Sequence, residues 1–301
     1  MISSLDSESL RFLSGLSQIQ QRSERAQREL TSGLRINTIS DAPDQIGSLW
    51  QTRWELDNAT QLNANLGRVK TEVDSAESAL ESAVTAVERA QTLASQGATG
   101  TASAQNRIDL AGEIGAVLQH LVGIANTSVD GRYIFSGDSD QQAPYTIDLT
   151  QTNPIGAYQG SAATRQVRNG DGALITIGKT AQEIFDSPNP QQNVFVVIAN
   201  LRTALLNNDQ AGITGAVADL QTSGAYLNTQ LASYGGVQNQ VTAGLDFTKT
   251  RETQLQTALS GIQDADLAQS ITELNQAQLQ QQAALQSRGR IPRTTLFDYL
   301  A

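Results

Sequence analysis

The sequence of 301 residues contains no cysteine, which excludes disulfides, thiolate metal sites and cysteine nucleophiles. Its single histidine, His120, is too little for a histidine-based catalytic triad or a zinc site with several histidines. Two tryptophans, six tyrosines and six phenylalanines are few for a thick globular core. Charged residues make up 17%, against roughly 25% in an average soluble domain. The small and polar residues that replace them are typical of slender helices.

Basic charge and long hydrophobic runs are also scarce. The formal net charge of −10 argues against a nucleic-acid partner, because phosphate binding needs a basic surface. The N-terminal sequence lacks the apolar run of about 7–15 residues that marks a secretory signal. The sequence contains no apolar stretch of about 18 residues, so no membrane span is predicted. We therefore expect no membrane association, and either a cytoplasmic location or export without a cleaved signal.

Proline is nearly confined to the middle of the chain. None lies between Pro43 and Pro144 or between Pro190 and Pro292, whereas four of the six lie between about residues 131 and 190. Because proline interrupts helices, the two proline-free arms are predicted to be helical throughout. The middle segment is predicted to form short strands and turns.

Apolar residues in both arms recur every three to four positions, as in amphipathic and coiled-coil helices. This spacing predicts helices over residues 1–30, 58–96, 104–127, 213–262 and 267–287. The register breaks at Asp264–Asp266, where either aspartate can cap a new helix. A kink is also expected at Gly235–Gly236.

In the middle segment, β-branched and aromatic residues predict strands at 133–135, 145–147, 165–168 and 174–177. Asn169–Gly170 or Asp171–Gly172 supplies a hairpin turn between the last two. The predicted fold class is therefore mostly α: a long antiparallel helical bundle with coiled-coil terminal helices and a small inserted β-rich outer domain.

Charge is distributed unevenly along the chain. Residues 1–30 carry four acids and four arginines, and residues 264–301 carry four acids and three arginines. Nearly all of the net charge of −10 thus lies between them. This asymmetry indicates that the two ends become buried. Because serine, alanine and glutamine interrupt their apolar seams, a pair of terminal helices leaves apolar surface for neighbouring subunits to cover.

Several acidic residues allow a catalytic alternative. The pairs Asp41/Asp44 and Asp264/Asp266 could act in acid–base chemistry, but each stands at a helix boundary, where aspartate commonly caps. An enzyme with carboxylates in or beside the β-rich segment would use Asp138, Asp140 and Asp148. We do not expect an enzyme, because the sequence offers no paired nucleophile and base. No metal or cofactor is expected either.

Two motifs resemble a known family. Thr31–Asn37, followed by Ser40–Asp44, is similar to the N-terminal signature of the bacterial flagellin superfamily. Asp264–Ala268, leading into Leu274–Ala283, is similar to its C-terminal signature. The resemblance covers about residues 1–140 and 191–301, so the middle segment lies outside it.

Three features favour the family's subunit at the hook–filament junction over its filament subunit, which stays open as the alternative. Gly131–Gly137, followed by Pro144–Tyr145, resembles the junction subunit's entry into its outer domain. Leu296–Leu300 resembles its C-terminus. The chain length and the single short outer domain also fit a junction subunit.

The resemblance implies five regions. Residues 1–44 and 264–301 would be the terminal helices of the axial core, 45–130 and 191–263 the inner helical domain, and 131–190 the outer domain. It implies an extracellular location in the flagellum, reached through the flagellar type III export channel. The implied partners are other copies in a ring, a hook-associated protein on the hook side, flagellin on the filament side and an export chaperone.

Roles in assembly and packing are expected for residues of the terminal helices and their turns. These are Ile2, Leu5, Phe12, Leu16, Ile19, Leu30, Leu34, Arg35, Ile36, Asn37, Leu267, Ile271, Leu274, Leu285, Leu296 and Leu300.

Overall fold

The structure, a computed structural model, describes residues 7–151, 153–170 and 172–289. The chain is mostly helical, with about 70% of residues in helices. The helices are α1 (Ser7–Ser32), α2 (Ile46–Gly97), α3 (Ala104–Ala125), α4 (Ala181–Phe185), α5 (Val194–Leu206), α6 (Gln210–Gln263) and α7 (Leu267–Gly289). The strands are β1 (Ser128–Val129), β2 (Arg132–Tyr133), β3 (Gln166–Arg168) and β4 (Leu174–Thr176).

The long helices follow the predicted arms. α2 has 52 residues and begins at Ile46, twelve positions before the predicted start. α6 has 54 residues and runs unbroken through Gly235 and Gly236. The predicted break at Asp264–Asp266 is confirmed, since α6 ends at Gln263 and α7 begins at Leu267. α2 packs antiparallel to α6, and α1 packs antiparallel to α7, as the predicted bundle requires.

The chain forms two compact units. The terminal unit comprises residues 1–58 and 251–301, and the central unit comprises residues 59–250. In the described part of the terminal unit, α1 and α7 pack together along small side chains, with Ala26 and Ala277 both buried. Within the same unit, Arg251 Nη2 donates to Glu55 Oε2 at 2.8 Å and links α6 to α2.

The central unit contains one continuous apolar core. Aliphatic side chains of α2, α3, α5 and α6 form most of it, and an aromatic group at its β-rich side completes it. That group consists of Phe135, Tyr145, Phe185, Phe195 and Tyr234, with ring centroids between 5.1 and 6.3 Å apart. Five of the fourteen aromatic residues of the chain therefore lie together at one position in the core.

One described helix, α3, is long and apolar enough to cross a membrane, which the sequence-based expectation did not foresee. Nine of its residues are buried, among them Ile114, Leu118 and Leu121, which belong to the core of the central unit. Burial of this kind is what a core helix of a globular unit requires.

The middle segment holds two separate two-stranded antiparallel sheets, β1–β2 and β3–β4. The predicted hairpin is confirmed, with Val167 opposite Ile175. The strand predicted at 145–147 is wrong, because Tyr145 pairs its backbone N–H and C=O with the side chain of Asn126 at 3.0 and 2.8 Å. Only Ile147 forms a bridge, with Ile155. The strand predicted at 133–135 is shorter, because the Phe135 carbonyl accepts instead from the Ala181 amide.

Candidate functional site

The two sequence signatures meet in the terminal unit. We call residues 33–45, which follow α1, and residues 262–266, which comprise the end of α6 and its connection to α7, the turn pair. The Arg35 amide donates to the Gln263 carbonyl at 2.7 Å, and the Ala265 amide donates to the Gly33 carbonyl at 3.0 Å. Leu34 and Asp264 form an antiparallel bridge between them. Backbone contacts therefore join segments that lie near opposite ends of the chain.

Two arginines reinforce the turn pair. Arg35 Nη2 donates to Gln45 Oε1 at 2.8 Å and to the Ile262 carbonyl at 2.7 Å. Arg53, on α2, donates from Nη2 to Gln263 Oε1 at 2.7 Å. Gln263 is buried, so the bond from Arg53 satisfies a side-chain oxygen that water does not reach freely. The arginines hold the ends of α6 and α2 to the turn that follows α1.

Aspartates organise both turns by accepting hydrogen bonds from backbone amides. Asp41 Oδ2 accepts from the amides of Thr38 and Asn37 at 2.7 and 3.0 Å. Burial alone would raise the pKa of the Asp41 carboxyl, but these hydrogen bonds outweigh it and hold that pKa below its ordinary value. Asp266 Oδ1 accepts from the amides of Ala268 and Gln269 at 2.9 and 3.1 Å. It thereby confirms the predicted cap at the start of α7.

Polar contacts also fasten the α1·α7 pair. Ser270 Oγ donates to Glu29 Oε2 at 2.8 Å, and both residues are buried. Arg25 Nε donates to the other oxygen of the same carboxylate at 3.1 Å. Toward the other end of the pair, Arg288 Nη2 donates to Ser9 Oγ at 2.6 Å. The Arg288 guanidinium also lies 5.2 Å from the centroid of the Phe12 ring.

The leucine-rich side of α7 does not face α1. Leu267, Ile271 and Leu285 are 48%, 51% and 53% exposed, and Leu274 is half-buried. These four residues fall on one side of α7, and we call them the α7 stripe. Residues on the side that packs against α1 are smaller, such as Ser270 and Ala277. The described part of the terminal unit therefore keeps a row of large apolar side chains open to solvent.

The remaining expected assembly residues divide by burial. Ile36 is buried, and Asn37 is exposed. The half-buried ones are Phe12, Leu16, Ile19, Leu30, Leu34 and Arg35. Ile2, Leu5, Leu296 and Leu300 lie outside the described residues. The structure brings Leu34–Ile36 against the α6–α7 turn, whereas Asn37 bonds to Leu34 and Asp41 within its own turn. It places Phe12–Leu30 along the pair with α7.

Sequence reasoning missed the polar residues that hold this arrangement, namely Glu29, Arg53, Gln263 and Ser270. Ser270 is followed at helical spacing by Ala277 and Ala284, so a search for small residues rather than leucines would have found the packed side of α7. Trp50 and Trp54, one turn apart on α2, are 58% and 67% exposed. Neither indole therefore lies in the core of the described terminal unit.

Two of the three aspartates considered for catalysis in the β-rich segment are engaged in local contacts. Asp140 pairs with Arg132 at 3.4 Å. Asp148 Oδ1 accepts from the Thr150 hydroxyl at 2.6 Å within one turn. Asp138 lines an open cavity of about 490 Å³ beside the ion pair of Arg165 with Glu72. Among the described residues no group of three or more histidines and acids could hold a metal ion, and His120 is exposed.

Comparison with known proteins identifies the family of these two signatures. Residues 4–140 match the bacterial flagellin N-terminal helical region, and residues 213–300 match the bacterial flagellin C-terminal helical region. The turn pair thus joins one segment from each matched region.

Individual relatives agree with that match. The chain is 26% identical to flagellar hook-associated protein 3 of Salmonella typhimurium over 310 residues, which cover 91% of this chain and 90% of that protein. It is 22% identical to the flagellar filament 33 kDa core protein of Treponema phagedenis, over 83% of this chain and 82% of that one.

Solved structures give the same fold. A candidate flagellar hook-associated protein from Vibrio parahaemolyticus superposes with a TM-score of 0.66 at 20% identity, covering 74% of this chain and 100% of that one. The family matches, which together span most of the sequence, agree with the predicted resemblance and leave no ground for the carboxylate enzyme. The chain therefore belongs to the bacterial flagellin family, a family of structural proteins and not of enzymes.

Proposed function

We propose that this chain is the structural subunit that joins hook to filament in the bacterial flagellum. The observation that carries the proposal is the alignment with hook-associated protein 3, which extends over nine-tenths of both chains. An alignment of this extent includes the segment between the two family regions as well as the regions themselves. The proposal therefore rests on more than the helices that all members of the family share.

The exposed apolar side chains support a mechanism in which folding and association are coupled. Nine of the fourteen large hydrophobic side chains that are exposed in the described residues belong to the terminal unit. Burying them between subunits would contribute roughly 25 cal/mol per Å² of apolar surface. That contribution offsets the entropy lost when the terminal helices become ordered in the assembled structure. Neighbouring subunits would thus complete a core that one chain leaves open.

The proposed surroundings follow from the position at the junction. In the flagellum the chain would contact other copies of itself in a ring, a hook-associated protein on the hook side and flagellin on the filament side. An export chaperone would hold it before export through the flagellar type III channel. The turn pair and the terminal helices would form the contacts near the axis, and residues 131–190 would project outward.

A filament subunit is the second candidate. The match to a flagellar filament core protein of Treponema phagedenis over 83% of this chain favours it. The two candidates make opposite predictions about copy number, because a filament contains thousands of subunits and a junction contains few. Self-assembly of the purified chain into long filaments would also support the second candidate.

Deletion of the gene tests the proposal. A junction subunit predicts cells with complete hooks, no filaments and monomeric flagellin in the medium, and it predicts that complementation restores the filaments. Immunogold labelling of an epitope inserted in residues 131–190 should then mark a single band at the hook end of the filament. Label along the whole filament, or loss of the filament without flagellin in the medium, would contradict the proposal.

A further inference from the structure

α7 is rotated about its own axis so that its small residues, and not its large apolar ones, face α1. Successive residues of a helix are about 100° apart, so the α7 stripe lies roughly a quarter turn from the side that holds Ser270 and Ala277. A quarter-turn rotation would bring Leu267, Ile271 and Leu285 against α1 and would expose the small residues instead. In an isolated chain hydrophobic burial favours that rotated packing. Some contact must therefore select the observed orientation.

We propose that the hydrogen bond from Ser270 to Glu29 is the contact that selects it. Its oxygens are 2.8 Å apart, and Ser270 and Glu29 are 2% and 9% exposed. Rotation of α7 would remove the hydroxyl from the carboxylate and leave a buried charge with Arg25 as its remaining side-chain donor. A buried charge that loses a partner is strongly unfavourable, so the cost opposes the rotation.

Other residues of α7 cannot replace Ser270. On its packed side the other positions are Glu273, Ala277, Gln281 and Ala284. Glu273 would bring a second carboxylate to Glu29, and either alanine would bring no hydrogen-bond donor. The Gln281 amide lies roughly 16 Å further along the helix than Ser270, too far to replace the hydroxyl without a large axial shift. The bond made by Ser270 thus fixes both the rotation of α7 about its axis and the position of α7 along that axis.

The selected orientation has a consequence that rests on the proposed function. It keeps the α7 stripe pointing away from α1, where we assign it to a second copy of this chain. Charge supports that occupant, since α7 carries one glutamate and one arginine while the whole chain carries −10. Copies can therefore approach along α7 without the repulsion expected elsewhere. Glu29 acts here as a positioning residue for a surface that it does not touch.

Cross-linking of the purified full chain tests the orientation. The chain has no native cysteine, so any cross-link within one chain joins the two introduced cysteines. Ser23→Cys is combined either with Ala277→Cys, on the packed side of α7, or with Gln278→Cys, about 100° away. With a short bismaleimide the 277 pair should react and the 278 pair should not. Glu29→Leu should shift the ratio toward the 278 pair about tenfold.

Matched variants separate positioning from general destabilisation. Ser270→Ala keeps a good helix former and should shift the cross-linking ratio in the same direction as Glu29→Leu. Glu29→Gln retains an acceptor for the hydroxyl and should give the wild-type ratio. Glu24→Leu, at an exposed position of α1, should leave the ratio unchanged. As a second readout, Glu29→Leu should slow maleimide labelling of Ile271→Cys several-fold.

An unchanged cross-linking ratio in both Glu29→Leu and Ser270→Ala would overturn the inference. So would an unchanged labelling rate at position 271. Neither measurement requires an assembled flagellum. A negative result would therefore contradict the inference about α7 without testing the proposed junction role, which gene deletion tests separately. Conversely, a normal filament after gene deletion would contradict the junction role and leave the orientation of α7 as measured.

Discussion

Arg35 Nη2 donates to the carbonyl oxygen of Ile262 at 2.7 Å, although the two residues are 227 positions apart in the chain. This bond closes the turn after α1 onto the last turn of α6. Since Arg35 also donates to Gln45, one guanidinium fixes three segments of the terminal unit. The direction in which α7 leaves α6 is therefore set from the other end of the sequence.

Substitution of Arg35 tests this role. Arg35→Met removes both hydrogen bonds and leaves the Ile262 carbonyl without this donor, so it should reduce the stability of the turn pair by about 1–3 kcal/mol. Amide hydrogen exchange of residues 33–45 and 262–266 measures the effect directly. Arg22→Met, at an exposed position of α1, is the control and should change exchange little. Equal exchange in the two variants would show that Arg35 does not hold the turns together.

The pH dependence of stability should include a contribution from Asp41. Because folding lowers the pKa of its carboxyl, the stabilisation is present above the unfolded value of about 3.9 and is lost as the pH falls through the lower folded value. The free energy of unfolding of wild type minus Asp41→Asn should thus be largest near neutral pH and shrink below about pH 4. Urea titrations followed by circular dichroism at several pH values measure it. A difference that grows in acid would contradict the assigned hydrogen bonds.

Arg107 should stabilise the central unit although no carboxylate faces it among its described partners. Its guanidinium donates to the carbonyls of Gly97 and Thr99 and to the side chains of Asn208 and Gln210, and the residue is 5% exposed. Arg107→Met removes these four hydrogen bonds and leaves the Gly97 carbonyl without this buried donor, so it should cost about 2 kcal/mol in urea denaturation.

Arg89→Met is the matched control for Arg107. Arg89 pairs with Glu113 at 2.6 Å, but both side chains are more than half exposed. An exposed ion pair contributes roughly 0–1 kcal/mol, so this variant should unfold nearly as wild type does. An effect of Arg89→Met as large as that of Arg107→Met would show that burial does not distinguish the two arginines.

Gly244 should be required for the β3–β4 hairpin to pack on α6. A Cβ added at Gly244 would overlap the side-chain amide of Asn169, which stands at the hairpin turn. Gly244→Ala should therefore loosen the hairpin and speed proteolysis within residues 166–176. Gly236→Ala, where an added Cβ meets nothing within 4 Å, should stabilise α6 by up to about 1 kcal/mol instead. Equal protease resistance in both variants would contradict the close approach.

The sequence predicted the helices well because their signals are local. Proline exclusion and the 3–4 spacing indicated both long arms, and Asp266 marked the start of α7. The strand at Tyr145 was wrong because a side chain from the end of α3, Asn126, took over its backbone hydrogen bonds. Apolar spacing likewise did not identify α5 as a separate helix, since the helix that it predicted after the middle segment begins only at residue 213.

The candidate site was predicted in part. Both signature turns were identified from sequence, but their contact depends on Arg35 and Gln263, which are distant in the chain. The side of α7 that packs on α1 could not be read from hydrophobicity, since the leucines face outward. The buried pair Glu29 and Ser270 accompanies the observed orientation of α7, and the spacing of apolar residues does not indicate that this pair forms.

Burial of the α7 stripe by neighbouring subunits is the central requirement of the proposed assembly. Ile271→Cys introduces the only thiol of the chain at a position that is 51% exposed in the free protein. Its maleimide labelling rate, compared in the purified chain and in isolated flagella, measures that burial directly, with Thr222→Cys in the central unit measured alongside. We predict labelling at least about tenfold slower at position 271 in flagella. Equal rates in the two states would contradict the proposed burial.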